Sequence, residues 1–460
     1  MRTTQDPDQA VTPDRATPPD GPNSLQAPAL ADAAAPPASV PRSTAQDESH
    51  PHRARGAGLV VVVGSLTLLP AITTDMYLPS LPDVARDLST NTAGATFTIT
   101  GMLIGGAIGQ LLVGPLSDRV GRRFPALVGV GLHVLLSLLC VVVTDISQLA
   151  ALRVAQGLVS AGGTVVAMAV IRDRYRGAEA ARLMSRLMLV IAAAPLLAPT
   201  VGSFVAQQWG WRAVFLVLAL LAVVIWVVVA RFLPETLPPQ RRVDRGLREV
   251  FRGYASLLGD RHFMALAVLP GLGMTVIMSF VAGSPFVFQV QYGMSKTAFA
   301  VVFATLGMAN VLGSQANAAV VRRVGPLRLL RVGIPWGLLL SAVAVVVAAL
   351  GLGGVVGLVV AVWLVLSALG IVMANASALA LTRRGDRAGT AAAVIGFLHA
   401  GLAGLISPLV GILGGDAVAM TAVMMGSFLV GLLVLGLATP AYHRDGWIKM
   451  AGAVPEALAR

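Results

Sequence analysis

Charge is what this chain has little of: Asp, Glu, Lys and Arg make up 12% of its 460 residues, while 56% are hydrophobic. A soluble domain carries about 25% charged residues, so an ordinary water-exposed surface is excluded. Cysteine is nearly absent. Cys140 stands alone within an apolar run, which rules out a disulfide framework and a thiolate metal cluster and leaves it a small packing residue. No Walker loop G-x-x-x-x-G-K-[ST], no H-E-x-x-H and no clustered carboxylates occur, so nothing points to an enzyme, to ATP as an energy source, or to a metal. No selectivity-filter or acidic-ring segment suggests a channel. Lysine is confined to Lys296 and Lys449, leaving arginine to carry the basic charge, a bias that fits a high-GC bacterial genome.

What is present is a series of long apolar runs. Twelve windows read as spans: 59–79, 94–114, 125–143, 147–169, 187–206, 212–232, 264–288, 298–319, 329–349, 353–375, 390–412 and 417–438. Each is close to the ~20 residues a helix needs to cross ~30 Å of hydrocarbon. Only Leu350-Gly351-Leu352 separates 329–349 from 353–375, but a merged helix would be roughly twice the bilayer thickness, so two spans are expected.

The net charge of +12 is sorted by topology. With the N-terminus in the cytoplasm, all Lys and Arg residues fall in cytoplasmic segments except Arg86, Arg212 and Lys296 in outer loops and Arg153 inside a span. That is the positive-inside asymmetry, so the basicity reports orientation and contact with anionic lipid, not nucleic acid.

Residues 1–56 are rich in Pro, Ala, Asp and Ser and are expected to be a disordered cytoplasmic tail without a signal peptide. Residues 57–232 form a first bundle of six spans and 264–440 a second. A cytoplasmic linker, 233–263, joins them, and 441–460 form a cytoplasmic C-terminal tail. Within the linker, Leu247 to Leu258 suit an amphipathic helix on the inner membrane surface, with a solvated linker as the equal alternative. The halves echo each other. Gly313-Ser314-Gln315 and Arg322-Arg323-Val324-Gly325 occupy the place that Gly114 to Arg123 hold in the first half, with Asn317 near the acidic position. Two parallel repeats of six predict an all-α membrane protein of two pseudo-symmetric six-helix bundles.

Two buried charges stand out. Asp75 is the acidic residue set well inside a span, ~24 Å from the inner face at ~1.5 Å per residue. Arg153 is its basic counterpart, ~9 Å from the outer face on the fourth span. They arrive at similar depth from independent counts. A carboxylate beside a guanidinium in hydrocarbon balances burial against attraction, which suits a proton carrier and its partner. The plainer reading of Asp75 is a mouth-facing residue that ends the helix before Pro79.

Between spans two and three lies Gly114-Pro115-Leu116-Ser117-Asp118-Arg119-Val120-Gly121-Arg122-Arg123. This pattern resembles the signature loop of the major facilitator superfamily of secondary transporters. Leu152-Arg153-Val154-Ala155-Gln156-Gly157 resembles that superfamily's fourth-span motif, whose arginine is tied to proton transfer. Asp75-Met76-Tyr77-Leu78-Pro79 with Leu81-Pro82, Ser284-Pro285-Phe286-Val287-Phe288 with Tyr292-Gly293-Met294-Ser295, and Leu233-Pro234-Glu235-Thr236-Leu237 look like the Bcr/CflA group of drug:proton antiporters. Span five, from Ala194 to Ser203, resembles the antiporter motif through Pro195, Pro199 and Gly202, with Ala198 and Ser203 replacing glycines.

The resemblance implies proton-coupled efflux of small amphipathic drugs such as chloramphenicol, bicyclomycin or sulfonamides, by alternating access and without a cofactor. It also implies a monomer in the bacterial inner membrane, with substrate, protons and lipid as partners. In some relatives a second acid lies nearer the middle of span one. Ser65-Leu66-Thr67-Leu68 holds none, so coupling rests on Asp75. The signature loop is implied to latch the halves when the outside is open, with Asp173 as a candidate partner for its arginines and Asp118 suited to a helix N-terminus.

Met76, Tyr77, Phe286, Asn310, Asn375 and His399 are candidates for the substrate cavity, with Gln110, Asn317, Phe288 and Trp363 as weaker ones; for Gln110, Asn310, Asn317, Asn375 and His399 the other reading, a packing role bonding between helices, is favoured. His133 reads as a core histidine rather than a relay. Two other readings stay open: a transporter of a particular metabolite, such as a sugar or an amino-acid derivative, and a non-transporting membrane receptor or scaffold.

Overall fold

The structure is a computed structural model that describes residues 49–175, 197–242, 247–383 and 388–439, with Glu179, Leu183 and Leu187 between the first two stretches. The expected N-terminal tail up to residue 48, the C-terminal tail, the first half of the fifth span and Pro195 lie outside the described residues.

Eleven helices among the described residues are long and apolar enough to cross a membrane. The helices of the first half are α1 (Ser49–Asp75), α2 (Leu81–Asp87), α3 (Thr92–Val120), α4 (Arg123–Val141) and α5 (Ile146–Arg174). They continue with α6, the described part of span five at 197–209, and α7 (Trp211–Phe232). After the linker helix α8 (Leu247–Leu258) come α9 (Arg261–Pro285), α10 (Lys296–Val324), α11 (Pro326–Leu350) and α12 (Gly354–Arg383). The chain ends on α13 (Ala388–Ile406), α14 (Leu409–Ile412) and α15 (Ala417–Ala438).

Side chains at the turns explain where the helices begin. Asn91, Asp145, Asp260, Ser295 and Asp416 accept hydrogen bonds from backbone N–H groups in the first turns of α3, α5, α9, α10 and α15. The narrow gap between α11 and α12 is made by Gly351, Gly353 and Gly354, all at positive φ, which stops one helix and starts the next.

The helices are apolar on both sides, unlike those of a soluble bundle. On α7, Val214, Phe215, Leu218, Ala222 and Ile225 are buried, whereas Leu216, Leu220, Val224 and Val227 are exposed. An apolar face of that size belongs against lipid.

Packing follows a repeated scheme. In the first half α3 lies on α5 and α4 on α7; in the second α10 lies on α12 and α11 on α15. Contact between the halves includes α13 against α3. The fold is thus the twelve-span, two-bundle architecture, with α1 starting ahead of its expected boundary. The linker helix has the predicted limits but a different seat. Tyr254 and Leu257 are buried, and the Tyr254 hydroxyl donates to the Leu111 carbonyl at 3.3 Å, so protein, not a lipid surface, covers part of its apolar face.

Candidate functional site

The first helix is shaped for its ending. Pro70 removes one backbone donor and loosens the last turns. The hydroxyls of Thr73 and Thr74 then donate back to the carbonyls of Leu69 (2.6 Å) and Pro70 (3.0 Å). Asp75 is the final residue of α1, before a 3-10 turn at Leu78–Ser80. Its side chain is buried and makes no ion pair or hydrogen bond with any described residue.

Arg153 is fully buried on α5. Its Nη1 donates to Gln156 Oε1 at 3.0 Å and to the Thr73 carbonyl at 3.4 Å. The guanidinium lies 4.9 Å from the Tyr77 ring centre and 5.9 Å from that of Phe215. These faces supply cation–π stabilisation, while Nε and Nη2 have no acceptor among the described residues. The expected partner, Asp75, is therefore close in the chain to what Arg153 touches (Thr73 and Tyr77) without being paired to it. In this state aromatic faces stand where a carboxylate was expected.

A cavity of about 1560 Å³ opens on the side of the basic loops. Thr74, Met102, Gln110, Met274 and His399 line its deep part, and Asp118, Arg119, Arg172 and Arg252 its mouth. The opposite side is closed. Lys296 pairs with Asp83 across the halves, Gln289 donates to the Pro79 carbonyl at 3.3 Å, and Gln207 donates to Thr297 Oγ1 at 3.2 Å.

Of the expected cavity residues, His399 and Gln110 line this space. Met76, Tyr77, Phe286 and Phe288 are packed into the closed side instead. Asn375 is not in the cavity either, because its amide donates to Asn317 Oδ1 at 2.7 Å. Asn310 lies outside the lining, half-buried, with its Oδ1 unpartnered. Gly202 of the antiporter motif meets α1 directly: a Cβ there would come 2.0 Å from the Met76 carbonyl oxygen. Pro199 lies on α6 beside it.

The signature loop is built around one arginine. α3 runs through Gly114 and Pro115 to Val120, and Gly121 turns the chain at φ +101°. A Cβ on Gly121 would stand 2.4 Å from Glu235 Oε2, so both backbone and space require glycine. Arg122 is buried. It binds Asp118 Oδ1 at 2.6 Å, Ser117 Oγ at 2.7 Å and Asp173 Oδ2 at 3.1 Å. Arg123 donates to the Ala230 carbonyl at 2.8 Å.

The helix N-terminus expected to attract Asp118 is held by Glu235. Its carboxylate accepts from the Arg122 and Arg123 N–H groups at 2.8 and 3.2 Å, while Asp118 is engaged with the Arg122 side chain. Burial pushes the Glu235 carboxyl up, but the N–H groups of Arg122, Leu237 and Arg123, with the Arg242 charge, outweigh it and hold the group below its ordinary value. These contacts brace the first half against the exit of α7. In the sequence Glu235 is marked only as an acid just beyond a span, opposite a basic loop.

A twelve-span, two-bundle fold with a central cavity open to one side is the architecture of a secondary transporter. The sequence model of the Major Facilitator Superfamily matches residues 63–408, and the chain belongs to that family. It is 34% identical to YdgK of Bacillus subtilis, described as an uncharacterized MFS-type transporter, over 82% of this chain and 94% of that one. It is 28% identical to a bicyclomycin resistance protein homolog of Haemophilus influenzae, over 81% and 93% of the two chains. A crystal structure of a D-xylose–proton symporter superposes with TM-score 0.67 at 16% identity, covering 83% of this chain and 97% of that one, a likeness of fold.

Proposed function

We propose that this protein exports small, uncharged amphipathic drugs in exchange for protons, across a bacterial inner membrane and with both termini in the cytoplasm. The observation that carries the reading is Asp75: a buried, unpartnered carboxyl at the tip of α1, between Thr73 and Tyr77, which Arg153 touches. An intramembrane ionisable group without a structural partner is a functional group by default. Kinship with a protein named for bicyclomycin resistance supports the drug class.

The cavity wall agrees with that class. Met102, Met168 and Met274 offer adaptable apolar surface, and Thr74, Gln110 and His399 offer hydrogen bonds. The acidic side chain in the described lining is Asp118, at the mouth, so the deep wall has no carboxylate to hold a cation.

In the exchange, drug enters from the basic, cytoplasmic side while the Lys296–Asp83 side is shut. The halves then rock, Met76, Tyr77 and Phe286 part, and drug leaves as Asp75 takes a proton from outside. Return releases that proton inward. The membrane potential contributes ~2.3 kcal/mol per charge for each 100 mV. No cofactor takes part, and one chain suffices.

The test is a drug-susceptibility panel in an efflux-deficient host, comparing wild type with Asp75→Asn at equal expression. Protection by the wild type and its loss in the variant is expected. Full protection by the variant, or uptake instead of efflux, would overturn the reading.

A further inference from the structure

His133 lies on α4, outside the cavity and the signature loop, yet it is fully buried with both ring nitrogens in contact with side chains of other helices. Nδ1 is 2.8 Å from Ser160 Oγ on α5, and Nε2 is 3.3 Å from Thr73 Oγ1 on α1. The Thr73 hydroxyl hydrogen is already directed at the Leu69 carbonyl. Nε2 is therefore the donor to Thr73, and the Ser160 hydroxyl donates to Nδ1, an assignment made from the network.

A second path leads back to the same threonine. The His133 carbonyl accepts from Ser137 Oγ at 2.8 Å, and Ser137 accepts from Gln156 Nε2 at 2.9 Å. Gln156 Oε1 accepts from Arg153, whose Nη1 also reaches the Thr73 carbonyl. The circuit Thr73–His133–Ser137–Gln156–Arg153–Thr73 thus closes on itself across three helices. Thr73 is gripped at its hydroxyl by His133 and at its carbonyl by Arg153. Asp75, two residues on, has no described grip of its own.

We propose that His133 is a positioning residue for proton coupling: by holding Thr73 it fixes the last turn of α1, and with it Asp75, against Arg153. The inference rests on the reading of Asp75 as the proton carrier. Buried donors and acceptors that close a ring have few alternative partners, so loss of one member releases its neighbours. His133 is not part of the cavity lining and has no hydrogen bond to Asp75, so its bond to Thr73 is the route to the end of α1.

The test uses three substitutions in the full chain. His133→Gln keeps an N–H near the Nε2 position, His133→Asn keeps only the Ser160 side, and Thr73→Val removes the same bond from the other end without changing shape. Two quantities are read on purified protein and in vesicles: protons released per drug bound, and the pH profile of drug export.

His133→Asn and Thr73→Val are expected to lower export roughly ten-fold or more, as small misplacement of a reacting group does. They should also move the pH midpoint by about one unit while drug affinity at pH 7 stays within about two-fold, since coupling is altered through proton affinity. His133→Gln should keep the wild-type pH profile. A wild-type profile in Asn and Val, or equal damage in Gln and Asn with no shift of midpoint, would reduce His133 to packing and overturn the proposal. Asp75→Asn runs beside them. Were it to release as many protons as wild type, the carrier assignment itself would fall, and this inference with it; lost release in Asp75→Asn with an unmoved profile in His133→Asn sinks the inference alone.

Discussion

The two halves share a frame but not a chemistry. Helices α3 and α10 are each 29 residues long and end on Gly121 and Gly325, at φ +101° and +85°. Each carries a glycine that admits the backbone of its neighbour. A Cβ at Gly109 would stand 2.4 Å from the Leu158 carbonyl oxygen, and one at Gly313 would stand 2.0 Å from that of Ser367. In that common register Arg153, Gln156 and Ser160 fall opposite Val362, Val365 and Leu369, all buried apolar residues. His133 falls opposite Gly337, whose missing side chain makes room for Phe428. Asp118 and Asp173 fall opposite Arg322 and Thr382.

The buried charged side chains among the described residues, Asp75, Arg122 and Arg153, all belong to the first half. The repeat supplies the scaffold. The polar network occupies one copy; in the other, Val362, Val365 and Leu369 stand where Arg153, Gln156 and Ser160 do, and Ser137 keeps a serine counterpart in Ser341.

The sharpest way to break this contrast is to remove its charge. Arg153→Met is expected to abolish proton-driven export in everted vesicles, whereas Val362→Met, its mirror position, should leave coupling intact. Equal losses would mean the asymmetry has no functional content. Next in size come the shared glycines. Gly109→Val and Gly313→Val both force a side chain into a carbonyl, and each should cost about 1–3 kcal/mol or more, read as a lower melting temperature in detergent. Sensitivity at only one site would show that the halves are not built on the same seam.

A smaller effect is expected from Asn375→Leu. It leaves Asn317 Oδ1 unpaired at a cost of about 1–3 kcal/mol, with protons per drug unchanged. Smallest is Glu235. Because its folded carboxyl is held below the ordinary value, the folded state binds fewer protons than the unfolded one as acid is added. Its stabilising contribution is present above the ordinary glutamate range and lost as pH falls through the folded value. Melting curves of wild type should therefore fall more steeply with acid than those of Glu235→Gln, and parallel curves would count against the cap.

Much of this was legible in the sequence. The spans follow from run length, and Arg153 is visible because one guanidinium in an apolar window has no bland explanation. Partners were not legible. Which face of a helix meets which neighbour depends on its rotation, and helices apolar nearly all round, such as α15, give little sign of it. Hence the sequence places Tyr77 among candidate wall residues whereas it lies beneath Arg153, and it reads His133 as core although both its nitrogens bridge helices. The repeat was visible but slipped. The sequence motifs pair Gly313 with Gly114 and put Asn317 near Asp118; equal helix lengths pair Gly313 with Gly109, and Asn317 with Val113.

The glycines of α3 and α5 carry one further consequence. At Gly101, Gly105 and Gly109 on one helix and Gly157 on the other, a single added carbon would strike the opposing main chain. Notched together over that stretch, ~12 Å at ~1.5 Å per residue, the two helices resist sliding along each other. Tilting them together keeps every notch filled, and α3 as a whole is ~43 Å long. A tilt at the Arg153 end therefore also moves the far tip of α3, where the arginine cluster lies.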